Sequence, residues 1–276
     1  ATYREGERAI DTVAAGASGT ADLALSELLR QYAGVVEVKG KRGRLALVNL
    51  QKRLLSSIDA FARTLARHAR AVAPELLAAG RGDDDDDTGG ALSDEYGAED
   101  DRAAEDDRAA DAAVTATGAA RALLAQMIAL AEQHRGAPSP KVLALLDWIR
   151  RHQCPAVAIG GAPASASRAD RAWTPLRVIV FTEYRDTLQH VRTQVAPGAA
   201  LIHGGLTREQ RRTALEAFPS AGVLLATDAA GEGLNLQAHC HNLFHFDVPW
   251  NPGRIEQRNG RIDRKLQQAD EVRCHY

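Results

Sequence analysis

The chain has 276 residues, which is enough for one or two domains with a substantial core. Its three cysteines are too few and too scattered for a disulfide framework, which favours a cytoplasmic protein, and no apolar run is long enough to cross a membrane. The net charge of −2 conceals an asymmetry, because residues 83–111 hold 14 acidic residues against two arginines and so leave a net charge of +10 on the rest of the chain. A basic body favours a polyanionic partner but does not identify one.

The first 79 residues are predicted to be mostly helical. Residues 21–32 and 45–72 have helical periodicity, and in the second segment one apolar stripe is formed by Leu47, Leu50, Leu54, Ile58, Phe61 and Leu65. Between them, the basic stretch VEVKGKRGR is predicted to be a turn that is either solvated or in contact with phosphate.

Residues 80–111 form an acidic segment of low complexity. Such a segment cannot bury enough apolar surface to offset its ordering entropy, so we predict a disordered or loosely helical insert. One hypothesis is that it mimics nucleic acid and occludes the basic body. Helices are predicted to resume over residues 112–134 and after a cap at Ser139, where the inward-facing residues are Val142, Leu145, Leu146 and Ile149.

After a linker rich in Pro, Ala and Ser (154–172), apolar runs alternate with helical segments. The predicted strands are LRVIVF (176–181), ALIH (200–203), GVLLAT (222–227), NLFHFD (242–247) and EVRCHY (271–276). A helix is predicted over residues 184–195, and another opens with a capping box formed by Thr207 and Gln210. Alternating strands and helices predict a parallel sheet, whose ligands bind beyond the carboxyl ends of the strands.

The segment VPWNPGRIEQRNGRIDRKLQ (248–267) is predicted to be one helix, with Asn251 as N-cap and Pro252 at the first position. A helical wheel places Ile255 and Ile262 on a core-facing side. A separate broad stripe contains Arg254, Gln257, Arg258, Arg261, Arg264 and Lys265. Taken alone, this stripe fits a solvated basic face as well as it fits an anion site.

A glycine-bearing loop, ATDAAGEGLNLQ (226–237), follows one of the predicted strands. Gly231 and Gly233 permit a ligand to approach the backbone closely, and Thr227 with nearby N–H groups could hold a phosphate. An ordinary strand-to-helix turn would show the same pattern. QRNGRIDR (257–264) follows about twenty residues later, and the two elements together indicate a functional site.

FTEYRDT, HGGLTREQRR, ATDAAGEGLNLQ, DVPWNP and QRNGRIDR resemble the successive motifs of the second RecA-like domain of superfamily-two helicases and translocases, most closely the SWI/SNF-type branch. The pattern is similar to bacterial members, above all the helicase of the DISARM anti-phage system and then the RNA-polymerase-associated recycling ATPase. LQKRLLSSIDAFARTL (50–65) resembles the segment that joins the two motor domains in that group.

The resemblance implies an α/β fold with a RecA-like parallel sheet and flanking helices, preceded by a mostly helical N-terminal segment with an acidic disordered insert. It divides the chain into a helical linking segment from the first motor domain (1–79), the acidic insert (80–111), helices leading into the motor domain (112–152), and the second RecA-like helicase C-terminal domain, truncated at its end (153–276). Because the chain starts with alanine and ends in a strand pattern, we expect it to be a fragment of a longer protein.

The resemblance also assigns roles to individual residues. Arg261 and Arg264 would reach across a cleft to the triphosphate of ATP, with Gln257 beside the γ-phosphate. Arg258 has no role by resemblance; because the helical wheel tilts it toward the adjoining part of the stripe, it is expected to tolerate substitution better. The nucleotide side of the cleft would be formed by Gly231, Glu232, Gly233 and Asn235. Residues that face the nucleic acid or couple the two sites would be Thr182, His203, Gly204, Gly205, Thr227 and Asp228.

The sequence contains neither G-x-x-x-x-G-K-[ST] nor a DEAH-like strand end, so it carries half of a motor. ATP and Mg²⁺ would be held by the first RecA-like domain, and this fragment alone is expected to be inactive. The expected function is that of the C-terminal motor domain of an ATP-dependent helicase or translocase on double-stranded DNA in anti-phage defence, with other defence-system subunits as candidate partners. The alternatives are an RNA-polymerase recycling ATPase and a non-catalytic nucleic-acid-binding module.

Three further features allow competing interpretations. Many relatives have glycine where this chain has Leu266, so a close approach that requires glycine there is in doubt. The histidines at 239, 241 and 245 could suggest a metal site, but alternate side chains of a strand point to opposite faces, which favours core or surface positions. Trp250 is expected to be a packing anchor rather than a base-stacking platform.

Overall fold

The computed structural model describes residues 19–77, 109–158, 172–195, 199–228, 236–265 and 267–276. These residues form two compact units, which divide between Ala137 and Pro138. Within the described ranges, no helix is long and apolar enough to span a bilayer.

The N-terminal unit is mostly helical, as predicted. Its helices are α1 (Gly19–Val35), α2 (Gly40–Ser56), α3 (Ile58–Val72) and α4 (Gly118–His134), with a short 3₁₀ helix at Pro74–Leu76. Two short strands, β1 (Glu37–Val38) and β2 (Val114–Thr115), pair in an antiparallel ribbon that the sequence did not predict. The ribbon joins the segment before α2 to the segment before α4.

The predicted single helix over residues 45–72 is wrong, because two helices meet at Ser57. Ser57 has extended backbone angles (φ −160°, ψ 156°), and its hydroxyl accepts a hydrogen bond from the Ala60 N–H at 3.1 Å. A serine that caps the following helix competes with continuation of the preceding one, and at Ser57 the cap is formed and the helix is interrupted. The predicted apolar stripe faces the core in both helices, with Leu50, Leu54, Phe61 and Leu65 buried.

A chain of buried polar groups crosses the core of the helical unit. The Tyr32 hydroxyl donates to His68 Nε2 at 2.7 Å, and His68 Nδ1 donates to the Asp111 carboxylate at 2.7 Å. Burial, together with the negative charge of Asp111, raises the pKa of Tyr32. Asp111 was predicted to be the last residue of the acidic insert, but the structure places it in this core. Its carboxylate also accepts a hydrogen bond from Arg67 Nε at 3.4 Å, and a carboxylate with two such partners can be buried. The insert up to residue 108 lies outside the described residues.

The C-terminal unit contains the predicted α/β fold. Its helices are α5 (Pro140–His152), α6 (Arg185–Val195), α7 (Arg208–Ala221) and α8 (Pro252–Asn259), and its strands are β3 (Val178–Thr182), β4 (Ala200–Ile202), β5 (Val223–Thr227), β6 (Asn242–His245) and β7 (Arg273–His275). The five strands form one parallel sheet in the order β4-β5-β3-β6-β7. This architecture confirms the predicted fold class.

Both faces of the sheet are covered, which explains the continuous apolar runs. In the central strand β3, Val178 and Val180 belong to one buried cluster, and Ile179 and Phe181 belong to another. The first cluster includes side chains of α5 and α6, and the second includes Phe218 of α7. Strands buried on both faces have this composition because neither set of alternating side chains meets water.

The predicted caps of two helices in this unit are confirmed. Ser139 accepts a hydrogen bond from the Val142 N–H at the start of α5. At the start of α7, Thr207 and Gln210 form the reciprocal capping box, with distances of 2.9 and 3.1 Å. Because all the strands run in one direction, they end at a single carboxyl edge.

Candidate functional site

The arginine-rich segment contains a shorter helix than predicted. Asn251 caps α8 through the Gly253 N–H at 2.9 Å, and Pro252 occupies the first turn, as predicted. The helix ends at Asn259, with Gly260 as its C-cap, so the prediction of a continuous helix to residue 267 is wrong. Glycine weakens helix propagation, and Gln267 fixes the next turn by donating to the Ile262 carbonyl at 2.8 Å. Arg261 and Arg264 therefore lie in a turn and not on a helical stripe.

Arg258 is buried, with only 2% of its side chain exposed. Its Nε and Nη2 donate to the two carboxylate oxygens of Asp228, at 2.5 and 2.9 Å. Nη1 donates to the Asp247 carbonyl oxygen at 2.7 Å, and the guanidinium lies over the Phe181 ring. A buried charge with a bidentate partner is costly to disturb. The expectation that this position tolerates substitution is contradicted by the structure.

The spacing of the residues around Arg258 contains a signal for its burial that was missed in the prediction. Ile255, Arg258 and Ile262 follow the three- and four-residue spacing of one helix face. Ile262 is fully buried and Ile255 partly so, and Arg258 shares their side of the segment. An arginine on a core-facing stripe requires a buried acidic partner, and Asp228 and Asp247 supply it.

Asp247, a residue that the sequence analysis did not select, joins two strands at the carboxyl edge. Its Oδ2 accepts from the Thr182 hydroxyl at 2.5 Å, and its Oδ1 accepts from the Glu183 N–H at 2.8 Å. β3 and β6 are neighbours from which the chain proceeds to opposite sides of the sheet. Such a switch point is where open α/β sheets form ligand crevices. Asp247 therefore connects the end of β3 at this switch point to Arg258.

The glycine-bearing loop is attached to the arginine segment at both of its ends. Asp228, just before the loop, pairs with Arg258, and the Leu236 N–H just after it donates to the Arg261 carbonyl at 3.2 Å. The predicted nucleotide contacts Gly231, Glu232, Gly233 and Asn235 lie outside the described residues, as does Leu266. The described residues on either side of the loop, Asp228 and Leu236, both contact the segment QRNGRIDR.

The predicted nucleic-acid-facing residues occupy two places on the edge. Thr182, Thr227 and Asp228 end the adjacent strands β3 and β5, and both threonines are buried. His203 follows β4 and is also buried; burial, with a contribution from nearby arginines, lowers its pKa to about 4. Gly204 is the exposed member of the His203–Gly205 turn. A direct nucleic-acid contact at this turn would use its backbone.

Gln257 and Arg264 are exposed, and Arg261 is half-buried. Arg254, one helical turn before Arg258, pairs with Glu183 at 3.1 Å and is 48% exposed. The segment therefore holds one arginine inside the domain and keeps other cationic side chains at the surface. An anion that arrives from outside the domain can reach the second group only.

The structure places His245 in the core and Trp250 at the surface. His245 is buried, with Nε2 at 2.8 Å from Asn259 Oδ1, and burial lowers its pKa to about 4. Within the described ranges, no group of three His, Cys, Asp or Glu residues could hold a metal ion. Trp250 exposes 62% of its surface, so the expectation that it is a packing anchor is wrong.

Comparison with known proteins finds similarity to one family over part of the chain. Residues 173–265 match the helicase conserved C-terminal domain. Over 98 residues the chain is 43% identical to the uncharacterized ATP-dependent helicase YqhH of Bacillus subtilis (strain 168), a match that covers 34% of this chain and 17% of the relative. Over 88 residues it is 42% identical to the RNA polymerase-associated protein RapA of Pectobacterium carotovorum subsp. carotovorum (strain PC1), covering 30% of this chain and 9% of that protein.

The chain therefore spans less than a fifth of the length of either relative. Among solved structures, the C-terminal part of the Fun30 ATPase domain is 16% identical with a TM-score of 0.47, over 98% of this chain and 84% of that one. The matched range contains the edge of the sheet, Arg258 with its two aspartates, and the turn that carries Arg261 and Arg264. Residues 173–265 are thus similar to the helicase conserved C-terminal domain.

Proposed function

We propose that the intact protein is an ATP-driven helicase or translocase that acts on double-stranded DNA, and that this chain supplies the second of its two RecA-like motor domains. The observation that carries the proposal is the attachment of both ends of the loop 229–235 to the segment 258–261. The attachment places two motifs together at the carboxyl edge, where sheets of this kind bind ligands. The similarity to an ATP-dependent helicase supports the same function.

In this proposal Arg261, Arg264 and Gln257 act on ATP that the first motor domain holds with Mg²⁺. Phosphoryl transfer spreads negative charge over the equatorial oxygens, and a planar guanidinium from a facing domain neutralises that charge. The exposure of Gln257 and Arg264 and the partial exposure of Arg261 support this assignment. The glycine-bearing loop would form the adjoining wall of the nucleotide cleft, through Gly231, Glu232, Gly233 and Asn235.

We assign the remaining predicted residues either to coupling between the nucleotide and DNA sites or to direct contact with DNA. Thr182 is joined to the arginine segment through Asp247, Asp228 is joined to it through Arg258, and Thr227 is the strand partner of Thr182. We therefore assign these three residues to coupling between the nucleotide and DNA sites. The buried imidazole of His203 supports a similar positioning role. Gly204 is exposed at the edge of the sheet, which suits a backbone contact to a DNA phosphate.

The finger assignment predicts a large loss of turnover without a loss of folding. In the intact protein, Arg261→Ala or Arg264→Ala should each reduce DNA-stimulated ATP hydrolysis by roughly 10³–10⁵-fold. Arg→Lys should also fail, because an ammonium group lacks the planar donor geometry. The Arg264 variants should unfold at nearly the wild-type temperature, since substitutions at exposed sites change stability by about 0.5 kcal/mol or less, and the variants of the half-buried Arg261 should unfold at a somewhat lower temperature but remain folded in the assay.

Arg212→Ala is the matched control, because Arg212 is an exposed arginine that pairs with Glu216 on its own helix. It should leave both turnover and melting temperature unchanged. Near-normal hydrolysis in Arg261→Ala and Arg264→Ala, or a loss that only follows unfolding, would assign the turn a structural role and reject the fingers.

A second candidate, an ATPase that recycles RNA polymerase, is favoured by the 42% identity to a protein associated with that enzyme. Co-purification of the intact protein with RNA polymerase would select it. A role in anti-phage defence is the corresponding extension of the leading proposal, and a loss of phage resistance in an Arg261→Ala strain would support it. A protein without ATP turnover that still bound DNA would instead be a non-catalytic module.

A further inference from the structure

Four basic residues, Lys39, Lys41, Arg42 and Arg44, lie where β1 leads into α2, and we call them the basic corner. They fall within six positions, and no Asp or Glu occurs between residues 38 and 58. All four are exposed, and none of them forms an ion pair or a side-chain hydrogen bond with the described part of the chain. The corner belongs to the helical unit and lies outside the matched helicase range.

The backbone of the basic corner is held rigidly. The Lys39 N–H donates to the Ala113 carbonyl at 2.8 Å, next to the β1–β2 ribbon. Gly40 makes the turn with a φ of +65°, a conformation that favours glycine. A Cβ at Gly43 would come within 2.8 Å of the Ala113 oxygen, so α2 packs directly on backbone. These contacts keep the four cations close to one another.

The charges of the basic corner act against folding of the free protein. The four cations repel one another, and they lie at the positive end of α2, where the first turn has no acidic residue. None of the four forms an ion pair with a carboxylate among the residues that the structure describes. A binding partner that brings several negative charges would relieve both repulsions at once.

We propose that the basic corner binds the phosphate backbone of double-stranded nucleic acid and so adds a contact to those of the helicase domain. The inference rests on the proposed function. A duplex carries one charge per ~1.7 Å of its axis. Several phosphates therefore fall within the roughly 8 Å that six helical residues span. Exposed Lys and Arg side chains suit contacts that position a duplex and do not read its sequence.

The test compares two variants of this chain that lose the same charge. The first carries Lys39→Gln, Lys41→Gln, Arg42→Gln and Arg44→Gln. The control carries Arg30→Gln, Arg135→Gln, Arg151→Gln and Arg212→Gln, which remove exposed arginines that each pair with an acid one turn away. Binding of a short fluorescein-labelled DNA duplex is followed by anisotropy from about 50 to 200 mM salt, the range in which phosphate contacts are resolved.

Each lost phosphate contact lowers the magnitude of the slope of log affinity against log salt concentration by about 0.9. The magnitude of this slope should therefore fall by roughly 2–4 in the corner variant and by less than about 1 in the control. Equal losses in the two variants would reduce the effect to overall charge and overturn the proposal. An unchanged slope, combined with lost binding of a poly-glutamate peptide, would make the corner a protein-docking surface and would also overturn it.

The assay contains no ATP, so it is independent of the motor. A selective slope loss in a protein whose finger variants still hydrolyse ATP would keep the basic corner and reject the proposed fingers. Circular dichroism melting of both variants ensures that unfolding does not mimic the result, and glutamine suits this purpose because it favours helix.

Discussion

Arg258 and Arg264 belong to one motif, yet the structure gives them different environments. Arg258 is enclosed by Asp228, Asp247 and Phe181, whereas Arg264 lies at the surface of the turn. A buried guanidinium loses its hydration and depends on its partners, and an exposed one keeps its charge available to a ligand. The same residue type therefore holds the site together at one position and can serve an incoming anion at the other.

Substitution of Arg258 should destabilise the α/β unit. Arg258→Ala leaves the two aspartates without their partner, and removing one member of a buried pair costs about 3–5 kcal/mol. All three tryptophans lie between residues 148 and 250, so urea unfolding followed by tryptophan fluorescence reports on this unit. Arg258→Lys should recover part of the lost free energy of unfolding, because lysine restores the positive charge but not the paired N–H donors that bind the Asp228 carboxylate.

Arg254→Ala is the matched control for Arg258, since Arg254 lies one turn earlier on the same helix and is half-exposed. Its pair with Glu183 should contribute no more than about 1 kcal/mol. Equal effects of the two substitutions would show that the network around Arg258 contributes little to folding.

His245 should make the α/β unit sensitive to acid. Burial lowers its pKa to about 4, below the value of about 6.5 in an unfolded chain. The unfolded state therefore binds the proton first, so stability is fully present above pH 6.5 and falls as the pH drops toward 4. With Nε2 donating to Asn259, the proton would have to enter at Nδ1, which has no hydrogen-bond partner within the described residues.

His245→Gln should make the pH dependence shallower by up to about 1.4 kcal/mol per pH unit across that window. The amide can still donate to Asn259 but does not titrate. Urea unfolding between pH 4.5 and 7.5 measures the slope, with exposed His239→Gln as the control. His203, whose pKa is lowered in the same direction, should account for part of the slope that remains. If the free energy of unfolding depended on pH in the same way in the wild type and in His245→Gln, His245 would not be the source of the acid sensitivity.

At the scale of elements, strands were easier to predict than helix ends. Four apolar runs predicted β3, β4, β5 and β6, because a strand buried on both faces leaves little room for another pattern. The partly exposed edge strand β7 was predicted from the more polar segment EVRCHY. The ends of α2 and α8 depend on contacts that local periodicity does not contain. Ser57 turns its hydroxyl to the next helix, and Gln267 and the buried Ile262 hold the turn after Gly260.

The candidate site was predictable in its motifs but not in its internal contacts. QRNGRIDR and ATDAAGEGLNLQ were selected together from their order along the chain. The pairing of Asp228 with Arg258 joins residues 30 positions apart, and Thr182 bonds Asp247 across 65 positions. No local spacing encodes such contacts. They follow from the order of the strands, which brings the ends of β3, β5 and β6 to one edge.

At the scale of the whole molecule, the acidic stretch should compete with nucleic acid for the basic body. Deleting residues 83–107 changes the net charge from −2 to +10 while keeping Asp111 and its buried partners. Duplex DNA should then bind more tightly and with a steeper salt dependence, because fewer carboxylates oppose the phosphates. The anisotropy assay measures both effects.

A variant in which Gly and Ser replace residues 83–107 at equal length separates charge from chain length. It should bind DNA as tightly as the deletion. Unchanged affinity in both variants would make the stretch a passive spacer rather than a competitor for phosphate.

The strand lengths of the sheet bear on how the molecule avoids self-association. Both edge strands, β4 and β7, have three residues, whereas the inner strands have four or five. An edge strand offers unpaired N–H and C=O groups as a template for foreign strands, and a short one offers few of them. Arg273 adds a charge to the β7 edge. The apolar β4 edge, with Leu201 and Ile202, is therefore the place where a lengthening mutation should first promote aggregation.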